Sequence, residues 1–403
     1  MKYKGFYKKD IHTRIEILKQ DDKYDESLDI ALSSNIYDHL IENAISVFEI
    51  PLGLVPKVMI NQKDYTIPMA TEESSVIAAA NHGSKIINQN GGVSAYVKSS
   101  LLRGEIIFAN PNNKQKLIEY IEMNHSLLIE LSKEAHPSIV KRGGGVKDIK
   151  IRDLNKFLIV DVLMDTQEAM GANMMNTVLE ALASHLTQST GETVLMAILS
   201  NHNPESLVSA NVKINPNSLK GGMNTAKKIA LSSELAHIDP YRCATHNKGV
   251  MNGIDAVVLA SGNDTRAVNA GIYTYHSKRP FTHWKLEDDF LHGEITIPLT
   301  IGTVGGAISV HPKAKLFKKI SHYENKHNLM EIIASIGLIQ NFAALYALNT
   351  DGIQKGHMSL HAKNILLSIN CPEEILEQAT RELLNSKTIN TETAKAIVKK
   401  LLA

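Results

Sequence analysis

Between residues 104 and 214 the spacing of apolar side chains changes again and again, and few folds accommodate that. Runs at 104–108, 147–151, 157–164, 194–200 and 207–214 are short, rich in β-branched residues and read as strands. The stretches 114–134 and 173–186 repeat apolar residues at helical spacing. The order β-α-β-β-α-β-β predicts a compact α+β unit. With 403 residues, 43% of them hydrophobic, the chain has material for a second and larger core.

That unit is near ferredoxin-like in its order. The expected layout is a large mixed α/β domain built from residues 1–107 and 217–355, with 108–216 inserted as the small domain and 356–403 as a helical, mobile C-terminal flap. Within the large domain, 10–50 reads as helical, 57–60 and 65–68 as a strand pair, and 73–81 as a helix opened by Thr, Glu and Ser. The apolar stretch 330–348 contains Glu331, Gln340 and Asn341, which predicts a buried helix and not a membrane span. Lys and Arg total 43 against 42 Asp and Glu, and no basic tract stands out, which argues against a nucleic-acid partner. Two distant cysteines, Cys243 and Cys371, match no disulfide framework or zinc spacing, and no apolar signal core follows Met1. A cytoplasmic protein with no membrane partner is expected.

The richest chemistry lies in Asp239-Pro240-Tyr241-Arg242-Cys243-Ala244-Thr245-His246-Asn247-Lys248-Gly249, running on to Ser261-Gly262-Asn263-Asp264. Its glycines suggest short turns, where reacting groups usually sit. Lys248 beside Asp264 would present a fixed cation to a developing oxyanion, and Arg242 could grip a carboxylate. A solvated lysine, a turn aspartate and a turn at Asn252-Gly253 explain the same residues more simply. Glu73 in Thr71-Glu72-Glu73-Ser74-Ser75 could be a general acid if buried, or part of a helix cap. His357 and His361 share one helical face, which suits a proton donor, a structural histidine or, with no Cys nearby, a poor zinc site. Three glycine-rich turns remain. Arg142-Gly143-Gly144-Gly145 precedes Lys147 and Asp148, Glu168-Ala169-Met170-Gly171-Ala172-Asn173 opens a helix, and Gly302-Thr303-Val304-Gly305-Gly306 permits close backbone approach. A helix N-terminus can bind phosphate and an acid can hold a ribose hydroxyl, but no Rossmann or Walker motif is present.

In order along nearly the whole chain, PMATEESS, EAMGANMMNT, DPYRCATHNKGVMNGIDAVVLASGND, IGTVGGA and GHMSLHAKN resemble the hydroxymethylglutaryl-CoA reductases, specifically the soluble bacterial class II. The resemblance implies two successive hydride transfers between a nicotinamide cofactor, NADH or NADPH, and HMG-CoA, through mevaldyl-CoA and mevaldehyde, giving mevalonate and free coenzyme A. By the same resemblance Glu73, Lys248, Asp264 and His357 are catalytic. Ser75, Arg242 and Asn252 contact the hydroxymethylglutaryl part, and Arg14 contacts CoA. Asp148, Met170, Gly171, Ala172 and Asn173 contact the cofactor. Asp148 would favour NADH through the ribose 2′-hydroxyl, whereas Lys147 and Arg142 would serve a 2′-phosphate. A homodimer, or a higher assembly of dimers, with its active site at the subunit interface is implied as well. The chain departs from the family pattern at Ala44 and Ser46, at Ser74 and at Glu168. Other readings are an NAD(P)-dependent dehydrogenase of a small hydroxy acid or acyl-CoA, a non-catalytic CoA-binding regulator, and a metal hydrolase using His357 and His361.

Overall fold

The structure is a computed structural model that describes residues 3–28, 30–350, 352 and 354–402, with Ser27 and 354–360 described at the backbone alone. Helix α1 (Ile11–Gln20) starts on Asp10, whose carboxylate accepts the Thr13 N–H at 2.7 Å. Helix α2 (Ser34–Leu40) follows. The helical expectation over 10–50 fails elsewhere, and 41–51 has no regular structure. Its apolar residues Ile45 and Phe48 stand exposed, so no core face supports a helix there. Strands β1 (Leu52–Ile60) and β2 (Lys63–Ala70) form a hairpin closed by Asn61 and Gln62 at φ 50° and 65°. Helix α3 (Val76–Gln89) begins three residues after Glu73, and β3 (Ser94–Val97) follows.

The small unit comprises β4 (Leu101–Ala109), α4 (Lys114–Met123), α5 (His125–Ala135), α6 (Pro137–Lys141), β5 (Gly145–Leu154), β6 (Phe157–Asp165), α7 (Ala172–Thr190) and β7 (Val194–Leu199). Its antiparallel sheet runs β5-β6-β4-β7, which is the ferredoxin-like order. The expected single helix over 114–134 breaks at Asn124, whose side-chain amide donates to the Tyr120 carbonyl at 2.8 Å. The sheet starts at Leu101 and ends at Leu199, so the expected limits 108 and 216 both sit late. Strand β8 (Leu207–Ile214) leaves the unit, because its inward residues Val208, Ala210, Val212 and Ile214 join the larger core.

Beyond it lie α8 (Gly222–Ile238), α9 (Pro240–Ala260), α10 (Thr265–His276), β9 (Thr282–Glu287), β10 (Phe290–Pro298), α11 (Gly306–Val310), α12 (Pro312–Ser321) and α13 (Lys326–Leu348). A second antiparallel sheet has the order β3-β8-β10-β9. Helix α13 is apolar all round and lies among α3, α9 and this sheet. It is the one described helix long and apolar enough to cross a bilayer, and 89% of that window is buried inside the fold. Helices α14 (Gln354–Ser368), α15 (Glu373–Leu384) and α16 (Thr391–Leu402) pack on one another around their own cluster of Ala362, Leu366, Leu376, Ala379 and Leu383.

Candidate active site

The block 239–260 is a helix and not a set of turns. Asp239 caps it by accepting the Tyr241 and Arg242 N–H groups, and Pro240 occupies the first turn. Its Gly253 serves a helix crossing. A Cβ on Gly253 would lie 2.9 Å from the Gln340 Cβ and 3.0 Å from the Ile336 carbonyl, and one on Gly337 would lie 2.9 Å from the Ile254 side chain. Only bare backbone lets α9 and α13 approach this closely. The same crossing turns Lys248 and Asn252, one helical turn apart, to one side of α9.

That side faces Glu73. The Lys248 ammonium donates to Glu73 Oε2 at 2.6 Å, and Asn252 Nδ2 lies 3.5 Å from Oε1. Glu73 is the carboxylate partner of Lys248, where Asp264 was expected. Asp264 instead caps α10, accepting the Arg266 and Ala267 N–H groups at 2.9 and 3.2 Å, and its oxygens also take the Arg266 guanidinium at 3.1 Å each. With Arg266 beside it, the Asp264 carboxyl is held below the usual carboxylate range. Among the described residues this pair is open to solvent, with the Lys248 and Glu73 side chains 60% and 36% exposed, so the burial that would favour Glu73 as a general acid is not found. An exposed pair of this kind contributes at most about 1 kcal/mol to stability, so its significance is positional.

The remaining expected residues lie on separate elements. Ser75 is the residue before α3 and makes no capping bond. Arg242 lies in the first turn of α9. Arg14 on α1 donates to the Phe6 and Tyr7 carbonyls at 3.2 and 3.1 Å. His357 falls in α14, and its side chain lies outside the described residues.

On the small unit, Gly171 stands before α7 at φ 100° with no side-chain cap, and a Cβ there would lie 2.8 Å from the Thr166 Cβ. The first N–H groups of a 19-residue helix are thus open to an anion, with Met170, Ala172 and Asn173 around them. Those residues fit a cofactor pyrophosphate. Asp148 lies on edge strand β5, with Lys150 Nζ and His125 Nε2 at 3.4 and 3.5 Å from its oxygens.

Several groupings were not foreseen from the sequence. Buried Asp161 on β6 binds Arg103 and Arg152, which also hold Glu205 and Glu105. Buried His246 bonds the Thr282 hydroxyl at 2.6 Å, and that hydroxyl and the Trp284 indole N–H both donate to Asn341. Burial pushes the His246 imidazole down to about 4. Asn263 clasps Gly302 through both amide atoms. The only sequence signal for these was a polar residue inside an apolar run.

A ferredoxin-like unit offering an open helix N-terminus, beside a larger unit carrying an amine and a carboxylate, defines a nicotinamide-dependent oxidoreductase. The sequence model of Hydroxymethylglutaryl-coenzyme A reductase matches residues 10–362, and the chain belongs to that family. It is 36% identical to the 3-hydroxy-3-methylglutaryl-coenzyme A reductase of Archaeoglobus fulgidus over 98% of this chain and 94% of the relative. It is 35% identical to the probable reductase of Borreliella burgdorferi over 81% of this chain and 78% of the relative. Among solved structures, the Streptococcus pneumoniae reductase superposes with a TM-score of 0.85 at 40% identity, covering 99% of both chains. The class II enzyme of Streptococcus pneumoniae, bound to NADPH in open conformations, matches with a TM-score of 0.83 at 41% identity over 86% of this chain and 99% of that one.

Proposed function

We propose that the chain interconverts HMG-CoA and mevalonate plus CoA, with Lys248 and Glu73 as its chemical centre. The observation that carries the residue assignment is the 2.6 Å contact between them. Two N–H bonds of the ammonium remain for a substrate oxygen. As hydride reaches the thioester carbon, that oxygen gains negative charge and Lys248 stabilises it. Glu73, in contact with Lys248, supplies the proton when the aldehyde becomes an alcohol. Asn252 orients Glu73, and Arg242 and Ser75 hold the hydroxymethylglutaryl group. His357 protonates the departing CoA thiolate, with α14–α16 closing as a flap. Asp264 reaches Lys248 only when Arg266 releases it. Arg14 receives part of CoA.

The cofactor supplies hydride from its nicotinamide ring. Residues 170–173 and Asp148 hold it on the small unit, and the larger unit holds HMG-CoA. NADPH is favoured because Lys150 beside Asp148 offers a cation to a 2′-phosphate, and the Streptococcus pneumoniae class II enzyme is bound to NADPH. NADH is the second reading, since Asp148 keeps acceptor capacity for a ribose hydroxyl. A homodimer that closes over the exposed rim is supported by the bare apolar side chains of Ile45 and Phe48. Free Cys243 and Cys371 support a reducing, cytoplasmic location.

The test is loss of reduced-nicotinamide absorbance with purified protein and HMG-CoA, using NADPH and NADH in turn, and the reverse reaction with mevalonate and CoA. Mevalonate oxidation that proceeds without CoA would point to a simpler hydroxy-acid dehydrogenase.

A further inference from the structure

Lys248 and Asp264 stand far apart along one long helix. Lys248 lies twelve positions before Ala260, the last residue of α9, which at 1.5 Å per residue is about 18 Å along the axis. The Asn263 N–H closes on the Val258 carbonyl at 3.0 Å, so Asp264 stays at that far end, where it caps α10. Extended lysine and aspartate side chains together span only about 10 Å by ordinary bond lengths. Within one chain the two do not meet, and the Lys248 ammonium goes to Glu73.

The face of α9 that carries Lys248 is bare beyond the lysine itself. Tyr241, seven residues earlier, and Leu259, eleven later, project in line with it at 84% and 42% exposure, with Asn252 beside them. Large apolar side chains exposed along a helix that also holds the reacting amine mark a face that another molecule covers. Charge complementarity assigns a second copy of this chain as the occupant. The stripe carries a cation in its first half and ends at the Asp264 carboxylate, whose side chain is 39% exposed. Two α9 helices running antiparallel about a two-fold axis near Ile254 bring each lysine to the other chain's aspartate, and symmetry makes the two sites equivalent.

We propose that Asp264 acts in trans, so that Asp264 of the partner subunit completes the Lys248–Glu73 centre across paired α9 helices. This rests on the reading that Lys248, Glu73 and Asp264 serve one reaction. Asp264 Oδ1 takes the N–H groups of Arg266 and Ala267 and belongs to the cap, whereas Oδ2 holds the Arg266 guanidinium and can exchange it for the ammonium of the other chain. The same pairing covers Tyr241 and Leu259 and withdraws the Lys248–Glu73 pair from water.

The test uses full-length chains with two different tags, so that mixed dimers can be isolated. Lys248→Met and Asp264→Asn alter exposed side chains, and asparagine keeps the cap of α10. Each variant by itself is expected to lower kcat by roughly 10²-fold or more. A mixed dimer of the two holds one site with both changes and one site with neither, and should recover about half of the parent kcat. A mixed dimer of Lys248→Met with Glu73→Gln, two residues that touch within one chain, should recover nothing. A Lys248→Met/Asp264→Asn dimer as slow as its parents would put both residues in one chain and overturn the proposal. Equal recovery in the Glu73→Gln control, or a fully active monomer on sedimentation, would overturn it too. If Lys248→Met does not assemble, Glu73→Gln mixed with Asp264→Asn carries the same expectation. Near-parental kcat for Asp264→Asn by itself would remove the underlying reading, and the proposal with it.

Discussion

The rim around Lys248 and the junction around Glu168 both join a carboxylate to a basic residue, and they differ in everything else. At the rim, a side-chain ammonium meets Glu73 in open solvent, and each partner can reorient. At the junction, one carboxylate oxygen takes a hydroxyl and a backbone N–H, next to a buried lysine whose pKa burial lowers. Burial raises the cost of breaking such bonds, whereas water screens the exposed pair. Groups that must change protonation state sit where rearrangement is cheap. Groups that hold two units in register sit where it is costly.

The contrast predicts that rim and tail variants lose activity without losing stability. The largest effect is expected for His357→Gln, which should slow thioester reduction by about 10²- to 10⁴-fold and reduction of free mevaldehyde far less. Equal loss on both substrates would remove His357 as the thiolate acid. Lys248→Ala should lower kcat by roughly 10²- to 10³-fold while the melting temperature hardly moves, so a near-normal rate would end its role at the oxyanion. Junction variants should do the reverse. Gly302→Ala forces a methyl against Ala169 and should cost about 1–3 kcal/mol, measured as a lower urea midpoint. A wild-type midpoint would show the junction to be looser than its contacts imply.

Two pH effects sharpen the comparison further. His246 is 2% exposed, and its folded pKa of about 4 lies below the unfolded value of 6.5. The unfolded chain therefore takes up the proton first. The stability of the neutral ring is intact above pH 6.5 and is lost as pH falls toward 4, at up to about 1.4 kcal/mol per pH unit. His246→Asn should flatten that slope in urea titrations between pH 7 and 4.5, and an unaltered slope would assign it to other groups. Asp264, in contrast, is exposed, and its pKa is lowered first by Arg266. Arg266→Gln should leave stability nearly unchanged and move the acid limb of the kcat profile to higher pH. An unmoved limb would take Asp264 out of the titration that limits the rate.

Much of the architecture was legible in residue order. Short β-branched runs predicted β5–β7, helical spacing predicted α7, and the apolar run of α13 predicted its burial. The errors share a cause. Gly253 reads as a turn signal in a linear string, because its use at a helix crossing depends on α13, more than 80 residues further along. Strand β8 was assigned to the wrong sheet because pairing depends on which edge is free, and sequence neighbours do not record that.

The sequence by itself determined the element order, the family, and which ionisable residues were available for chemistry, because short-range periodicity and motif spacing are written along one dimension. Only the tertiary structure decided that Lys248 meets Glu73 and that Glu168 turns toward Thr303 and Lys326. Ion pairs and clamps form between residues 100 or more positions apart as readily as between neighbours. Their partners are chosen by the packing of helices and sheets, which no local pattern carries.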